Sequence, residues 1–219
     1  MKPIHFFYCL WLLPSFLQGQ TKPRLIESQF KTLGDVMFKS VPSEADKGLS
    51  KEDLEKYGAY FLQTETASGT KLLTRPAGVG QVLPPLTLQV PAGYNTDFEL
   101  VEGQAFLSQL TGHLEGNSQR GDMVLEQVNA QVRLYALKGS IKAKNSTLSG
   151  ALIAPQGDIT LNDVGGSYSS LSSRGDVQAT FSESFFERQT EPFRFGLPQG
   201  VISATSAKAG VLLNIGWEY

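Results

Sequence analysis

The chain has 219 residues and a formal net charge of −2, with 18% charged and 41% hydrophobic residues. This length suits one moderate domain. The apolar share excludes a disordered chain, and the lack of a basic excess excludes a nucleic-acid-binding protein.

Residues 1–19 have the pattern of a secretory signal peptide. Lys2 is followed by an apolar run from Ile4 to Leu17, which is shorter than the roughly 20 residues that a membrane span needs. We therefore expect an exported protein of the periplasm, the cell surface or the medium, with no transmembrane span in the mature chain. The alternative is an uncleaved anchor.

Cleavage after Gly19 would remove the chain's one cysteine and leave His113 as its only histidine. Disulfides, Cys/His zinc sites and Cys–His catalysis are then excluded. No cofactor or metal is expected, and His113 is interpreted as a surface histidine.

Residues 20–84 predict an N-terminal segment with a short helix and loops. Ser50 followed by Lys51-Glu52-Asp53 has the pattern of a helix N-cap with an acidic first turn. The helix is expected to end near Phe61. Residues 41–43 and 68–85 are rich in Pro, Gly and polar residues, which predicts loops.

Glycines then recur every 18 residues along the middle of the chain. The second and fourth residues after each glycine are apolar and the fifth is polar, an alternation typical of half-buried strands. The glycines are Gly103, Gly121, Gly139, Gly157 and Gly175. The apolar positions are Ala105, Met123, Ile141, Ile159 and Val177, then Leu107, Leu125, Ala143, Leu161 and Ala179.

A unit of this length is too short for a propeller blade or a helix pair. The pattern predicts an all-β fold, a single-stranded β-solenoid (β-helix) with 18-residue coils over residues 85–219. Glycine at each corner would allow a backbone conformation that strains other residues.

Three copies of a Gly-Asp-apolar motif start at Gly121, Gly157 and Gly175, and a strand-like run, Leu86–Gly93, precedes them. With these features the chain resembles the bacterial adhesin-like family of cell-envelope β-solenoid domains. The resemblance implies an exported, non-enzymatic protein.

Residues 181–199 are rich in phenylalanine, including Phe185 and Phe186. A solenoid needs caps at its ends, so this segment is predicted to be a C-terminal cap. The alternative is an exposed aromatic platform that binds sugar rings or a protein partner. One or two final strands are expected at 200–204 and 210–215.

Asp122, Asp158 and Asp176 occupy one column of the repeat. We interpret them as corner residues whose carboxylates bind local backbone N–H groups. The alternatives are a weak Ca²⁺ site or an acid–base pair of Asp158 and Asp176. The Arg-Gly-Asp tripeptides at 120–122 and 174–176, and the glycosylation sequon at Asn145, also lie at corners or turns, which accounts for them without a receptor or a glycan.

The sequence therefore predicts an exported, non-enzymatic β-solenoid protein of the cell envelope, which is adhesin-like and presents ladder surfaces for binding or assembly. Its expected partner is a glycan or a cell-surface protein, with Asp122, Asp158, Asp176, Phe185 and Phe186 as the candidate binding surface. A carbohydrate-active enzyme using Asp158 and Asp176, and a polymer built by end-to-end stacking, are the alternatives.

Overall fold

The computed structural model describes residues 24–182, 194–196 and 202–206. This part of the chain is all-β, with 16 strands and one short α-helix. The strands are β1 Leu25–Leu33, β2 Val36–Val41, β3 Gly48–Leu49, β4 Phe61–Thr66, β5 Gly69–Thr74, β6 Leu86–Pro91, β7 Asn95–Glu102, β8 Ala105–Ser108, β9 Thr111–Arg120, β10 Met123–Glu126, β11 Asn129–Lys138, β12 Ile141–Ile153, β13 Ile159–Leu171, β14 Val177–Phe181, β15 Arg194–Gly196 and β16 Ile202–Ser206, and the helix is α1 Lys51–Tyr57.

Twelve of the described strands lie side by side in the order β3-β6-β2-β8-β10-β12-β11-β9-β7-β1-β5-β4. The end strands β3 and β4 meet, since the Leu49 N–H donates to Gln63 Oε1 at 3.0 Å. Lys47 Nζ, just before β3, lies 2.8 Å from Glu65 Oε2 on β4. The sheet is therefore nearly closed and barrel-like.

The prediction of a single-stranded β-solenoid with 18-residue coils is wrong. The sheet is mixed, because β3–β6 and β4–β5 are antiparallel pairs. Strands from the N-terminal region are also built into it: Val36 pairs with both Leu86 and Ala105, and Leu25 pairs with both Gly69 and Asn95. Through these long-range pairs, β1 and β2 become part of the sheet, although the 18-residue spacing does not predict them there.

The 18-residue spacing instead describes the register of the parallel pairs from β8 to β14, as in Met123 beside Ala105 and Ile141. The long strand β12 joins two groups of strands. Residues 141–144 pair with β10, and residues 147–153 pair with β11. Asn145, with a φ of 49°, lies at the change of direction. We call the group containing β2, β8 and β10 the first face, and the group containing β1, β7, β9 and β11 the second face.

The core lies between the two faces. All ten apolar positions predicted from the alternation are buried, with at most 6% of their surface exposed. Two phenylalanines from the N-terminal strands, Phe30 and Phe38, extend the core: the ring of Phe38 lies 6.2 Å from that of Phe30 and 4.6 Å from that of Phe98 on β7. Burial of this apolar surface is the main stabilising contribution.

The predicted helix is confirmed, and it is shorter than expected. Ser50 is its N-cap, and its side chain accepts a hydrogen bond from the Asp53 N–H at 3.1 Å. The helix ends at Tyr57 and not near Phe61, which begins β4. The predicted loop over residues 68–85 is wrong in part, because it contains β5, whose Leu72 is fully buried.

Leu86–Pro91 forms β6, which confirms that part of the predicted run as a strand. Ile202–Ser206 forms β16, so a strand is present near the predicted 200–204. Residues 1–23, most of 181–199, and 210–215 lie outside the described residues. Within the described part, no helix has the length and apolar character needed to cross a membrane.

Candidate functional site

The predicted aspartates form a hydrogen-bond ladder at the start of the first-face strands. Asp122 Oδ1 accepts a hydrogen bond from the Ser140 N–H at 2.8 Å, and Asp158 Oδ1 accepts one from the Asp176 N–H at 2.9 Å. Between them, Ser140 Oγ accepts from the Asp158 N–H at 3.2 Å. Each side chain thus binds the backbone of the next strand, and we call this set the corner ladder.

The ladder has one more member, which the sequence analysis missed. Asp35 Oδ1 accepts a hydrogen bond from the Gln104 N–H at 2.9 Å. Gly34-Asp35-Val36 repeats the Gly-Asp-apolar motif, so the motif alone could have identified it. The 18-residue spacing could not, because Val36 and its partner Ala105 are separated by the whole of β3 to β7.

The five glycines of the column lie beside this ladder. Gly103 and Gly121 have φ values of 118° and 144°, which confirms the predicted conformational reason at these two positions. Close approach is the reason at the others. A Cβ at Gly139, Gly157 or Gly175 would lie 2.0, 2.2 or 2.4 Å from the carbonyl oxygen of the preceding glycine.

The other predicted site residues, Phe185 and Phe186, lie outside the described residues. His113 is half-buried on β9, with Nε2 3.9 Å from Glu115 Oε2. In the described part of the chain, no three His, Cys, Asp or Glu residues are grouped so that they could hold a metal ion. Asp158 and Asp176 are brought together as predicted, with the Asp158 carboxylate bonded to the Asp176 backbone.

A row of charged side chains crosses the second face. The strand register places Lys71, Glu27, Asp97, Glu115 and Arg133 next to one another on β5, β1, β7, β9 and β11. The two ends of the row are ion pairs. Lys71 Nζ lies 2.5 Å from Glu27 Oε1, and Arg133 Nη1 lies 3.8 Å from Glu115 Oε1.

Asp97, in the middle of the row, has no hydrogen-bond or ion-pair partner for its carboxylate among the described residues. It is half-buried, and burial raises the pKa of its carboxyl group. The charges of Glu115, Glu27 and Glu99 raise the pKa further, and His113 opposes them. Burial and the neighbouring negative charges both disfavour the charged form of Asp97.

An open trough of about 440 Å³ lies on the second face beside this row. Its side chains combine carboxylates, an amide, a guanidinium, a phenol and an aliphatic group. They belong to Asp97, Glu99, Glu115, Asn117, Arg133, Tyr135 and Ile153. A smaller depression of about 100 Å³ shares Glu99 and Asn117 with it, so the two form a continuous surface.

The sheet beneath the trough is well packed. Phe98, Gly116 and Leu134 line its floor, and the side chains of Phe98 and Leu134 are no more than 1% exposed. Outward side chains on such a sheet are held at fixed spacing by the strand register. The trough is therefore a fixed array of hydrogen-bonding groups with Tyr135 at one edge.

The trough was not predicted from the sequence. Asp97, Glu115 and Arg133 are 18 residues apart, so the spacing alone could have placed them in one column. The column was not distinguished because outward positions on a strand are commonly charged. Glu27 and Lys71 join the row through pairings that the spacing does not predict.

Comparisons of the chain with protein-family models, with curated proteins and with solved structures found no match.

Proposed function

We propose that the protein is an exported, non-enzymatic, adhesin-like protein of the cell envelope that binds a glycan through the trough of the second face. The chemistry of the side chains that line the trough supports the proposal. The trough places carboxylates, an amide and a guanidinium on a well-packed sheet, with an exposed tyrosine at one edge. Such groups can hydrogen-bond sugar hydroxyls while the aromatic ring packs against a sugar face.

Two features of the sequence support export and envelope location. The apolar run at 4–17 has the length and flanking charge of a signal peptide. The Gly-Asp-apolar motifs resemble those of bacterial cell-envelope proteins. N-terminal sequencing of the protein from fractionated cells would test export, with a chain starting near residue 20 expected outside the cytoplasm. An intact Met1 start in the cytoplasmic fraction would contradict it.

The corner ladder is less suited to function as a site. An acid–base pair must be free to reach its substrate, whereas Asp158 Oδ1 already accepts the Asp176 N–H. Ser140 Oγ likewise binds the Asp158 N–H. These bonds join neighbouring strands and give the ladder a structural role. The trough is consequently the better candidate for contact with a glycan.

Tyr135→Ala tests the proposed site. Tyr135 is 37% exposed at the edge of the trough, and we expect its removal to weaken glycan binding about tenfold, the equivalent of roughly 1.4 kcal/mol. Binding would be measured on a glycan array and then by titration with the best glycan. Met37→Ala is the matched control, because Met37 is 41% exposed on the first face, away from the trough.

The two variants separate the outcomes. Loss with Tyr135→Ala alone supports the trough as the site. Equal loss with both variants, or unchanged binding with Tyr135→Ala, refutes it. If no glycan on the array binds the mature protein, the proposed glycan partner is wrong.

A further inference from the structure

Three acidic side chains are in direct register on the second face, and we call them the acidic row. Glu27 on β1 pairs with Asp97 on β7, and Asp97 pairs with Glu115 on β9. Adjacent strands in a sheet lie about 4.8 Å apart, and like charges placed directly opposite on neighbouring strands destabilise the sheet. The repulsion converges on Asp97, which has an acid on each side.

The surrounding cations are placed at the ends of the row. Lys71 binds Glu27 at 2.5 Å, and Arg133 approaches Glu115 at 3.8 Å. Both cations are therefore one strand further from Asp97 than the acids are.

Two other titratable groups face Asp97. Glu99 lies two residues further along the same strand and adds a third negative charge. The charge of His113 on β9 opposes them. Glu99 Oε2 is partnered by Gln29 Nε2 at 3.0 Å, which is a neutral group and leaves the negative charge in place.

We propose that the acidic row makes the second face acid-responsive: as the pH falls, Asp97 takes up a proton, its repulsion with Glu27 and Glu115 ends, and the pairing of β1, β7 and β9 is strengthened. A protonated Asp97 also gains an O–H donor between two carboxylates that accept hydrogen bonds. This property belongs to the fold and does not depend on what the trough binds.

The direction of the pH effect follows from linkage. Burial and the neighbouring acids hold the pKa of Asp97 in the folded protein above its value in the unfolded chain. The folded state therefore binds this proton more tightly. The stabilisation begins as the pH falls through the folded-state pKa, is complete below the unfolded value of about 4, and is absent at neutral pH.

The test compares Asp97→Asn with the wild type by thermal unfolding at pH 7 and pH 4. Asparagine keeps the shape of the side chain and has no charge. We expect Asp97→Asn to raise the midpoint of thermal unfolding by about 2 °C at pH 7, and we expect this gain to become smaller at pH 4, as the wild-type acid takes up its proton. Comparison at each pH cancels the contribution of the other carboxylates.

Glu126→Gln is the matched control. Glu126 is an exposed carboxylate on the first face, in register with Ser108 and Lys144 and with no acid beside it. Neutralising Glu126 should not raise the midpoint of thermal unfolding at pH 7. Titration of the Asp97 carboxyl by NMR provides a second measurement, in which Glu115→Gln should lower the Asp97 pKa.

Three results would overturn the proposal. The first is an Asp97→Asn variant no more stable than the wild type at pH 7. The second is a gain that persists unchanged at pH 4, since packing and not protonation would then be its cause. The third is an unchanged Asp97 pKa in Glu115→Gln, which would show that the acids of the row do not act on Asp97.

Discussion

Gly116 lies in the middle of β9 with its α-carbon facing the core, where the sequence alternation would place an apolar side chain. An alanine Cβ at this position would lie 2.3 Å from Phe98 Cζ, 2.4 Å from Phe98 Cε1 and 2.9 Å from Leu134 Cδ2. All three distances are shorter than a van der Waals contact. The Phe98 ring therefore occupies the space that a side chain at position 116 would fill.

Phe98 cannot move aside freely, because it is 1% exposed and its ring packs 4.6 Å from that of Phe38. Adding a methyl group to such a core typically costs about 1–3 kcal/mol. Reduced freedom of the unfolded chain with alanine offsets roughly 0.4–1 kcal/mol of this. We expect Gly116→Ala to lower the free energy of unfolding by about 1–2 kcal/mol.

Denaturant unfolding followed by far-UV circular dichroism would measure this change. Gly58→Ala is the control, because its Cβ would meet nothing closer than Leu54 Cδ1 at 3.4 Å and its backbone is helical. Combining Gly116→Ala with Phe98→Leu should cost less than the sum of the two single changes, since the smaller side chain relieves the clash. A Gly116→Ala protein as stable as the wild type would refute this account of the packing.

Thr96→Val should raise the free energy of unfolding by about 1 kcal/mol, because Thr96 Oγ1 is buried without a hydrogen-bond partner; Thr70→Val should lower it, since the Thr70 hydroxyl donates to Glu65 Oε1 at 3.0 Å. Equal effects of the two changes in denaturant unfolding would contradict this. Gln63→Leu should cost about 1–2 kcal/mol and speed amide exchange at Leu49, whose N–H loses its acceptor between β3 and β4. Unchanged exchange at Leu49 would show that this bond does not hold the end strands together.

Local patterns predicted the strands and their inward positions well. A strand alternates its side chains with a period of two wherever it lies, so the apolar residues at Met123 and Leu125 identify the core side without knowledge of the partner strand. The helix start was predicted for a similar reason, because the Ser50 cap acts within one turn.

The pairing of strands that are distant in the sequence could not be predicted from local patterns. Residues 20–84 were expected to lie outside the repeat, yet β2 is inserted between β6 and β8, and β1 pairs with β7. Nothing in the alternation of β2 distinguishes β6 and β8 as its neighbours. The mixed, nearly closed sheet depends on these pairings, and the predicted solenoid failed because it omitted them.

The corner aspartates show what could be predicted from the sequence and what could not. Their interpretation as corner residues that bind backbone N–H groups was close to the observed ladder, although each bonds the next strand and not its own turn. Asp35 carries the same motif and was missed, because it lies outside the 18-residue spacing; its contact with the Gln104 N–H follows from the pairing of β2 with β8.

The all-β class, the core positions of β8 to β14, the cap of α1 and the glycines at the corner can be predicted from sequence, because each depends on local geometry or on one short spacing. The closure of the sheet, the set of neighbouring carboxylates and the position of the trough depend on pairing between distant strands. Glu27 and Asp97 become neighbours through the pairing of β1 with β7, and that pairing depends on the packing of the whole core. The charge of the second face is therefore a property of the fold.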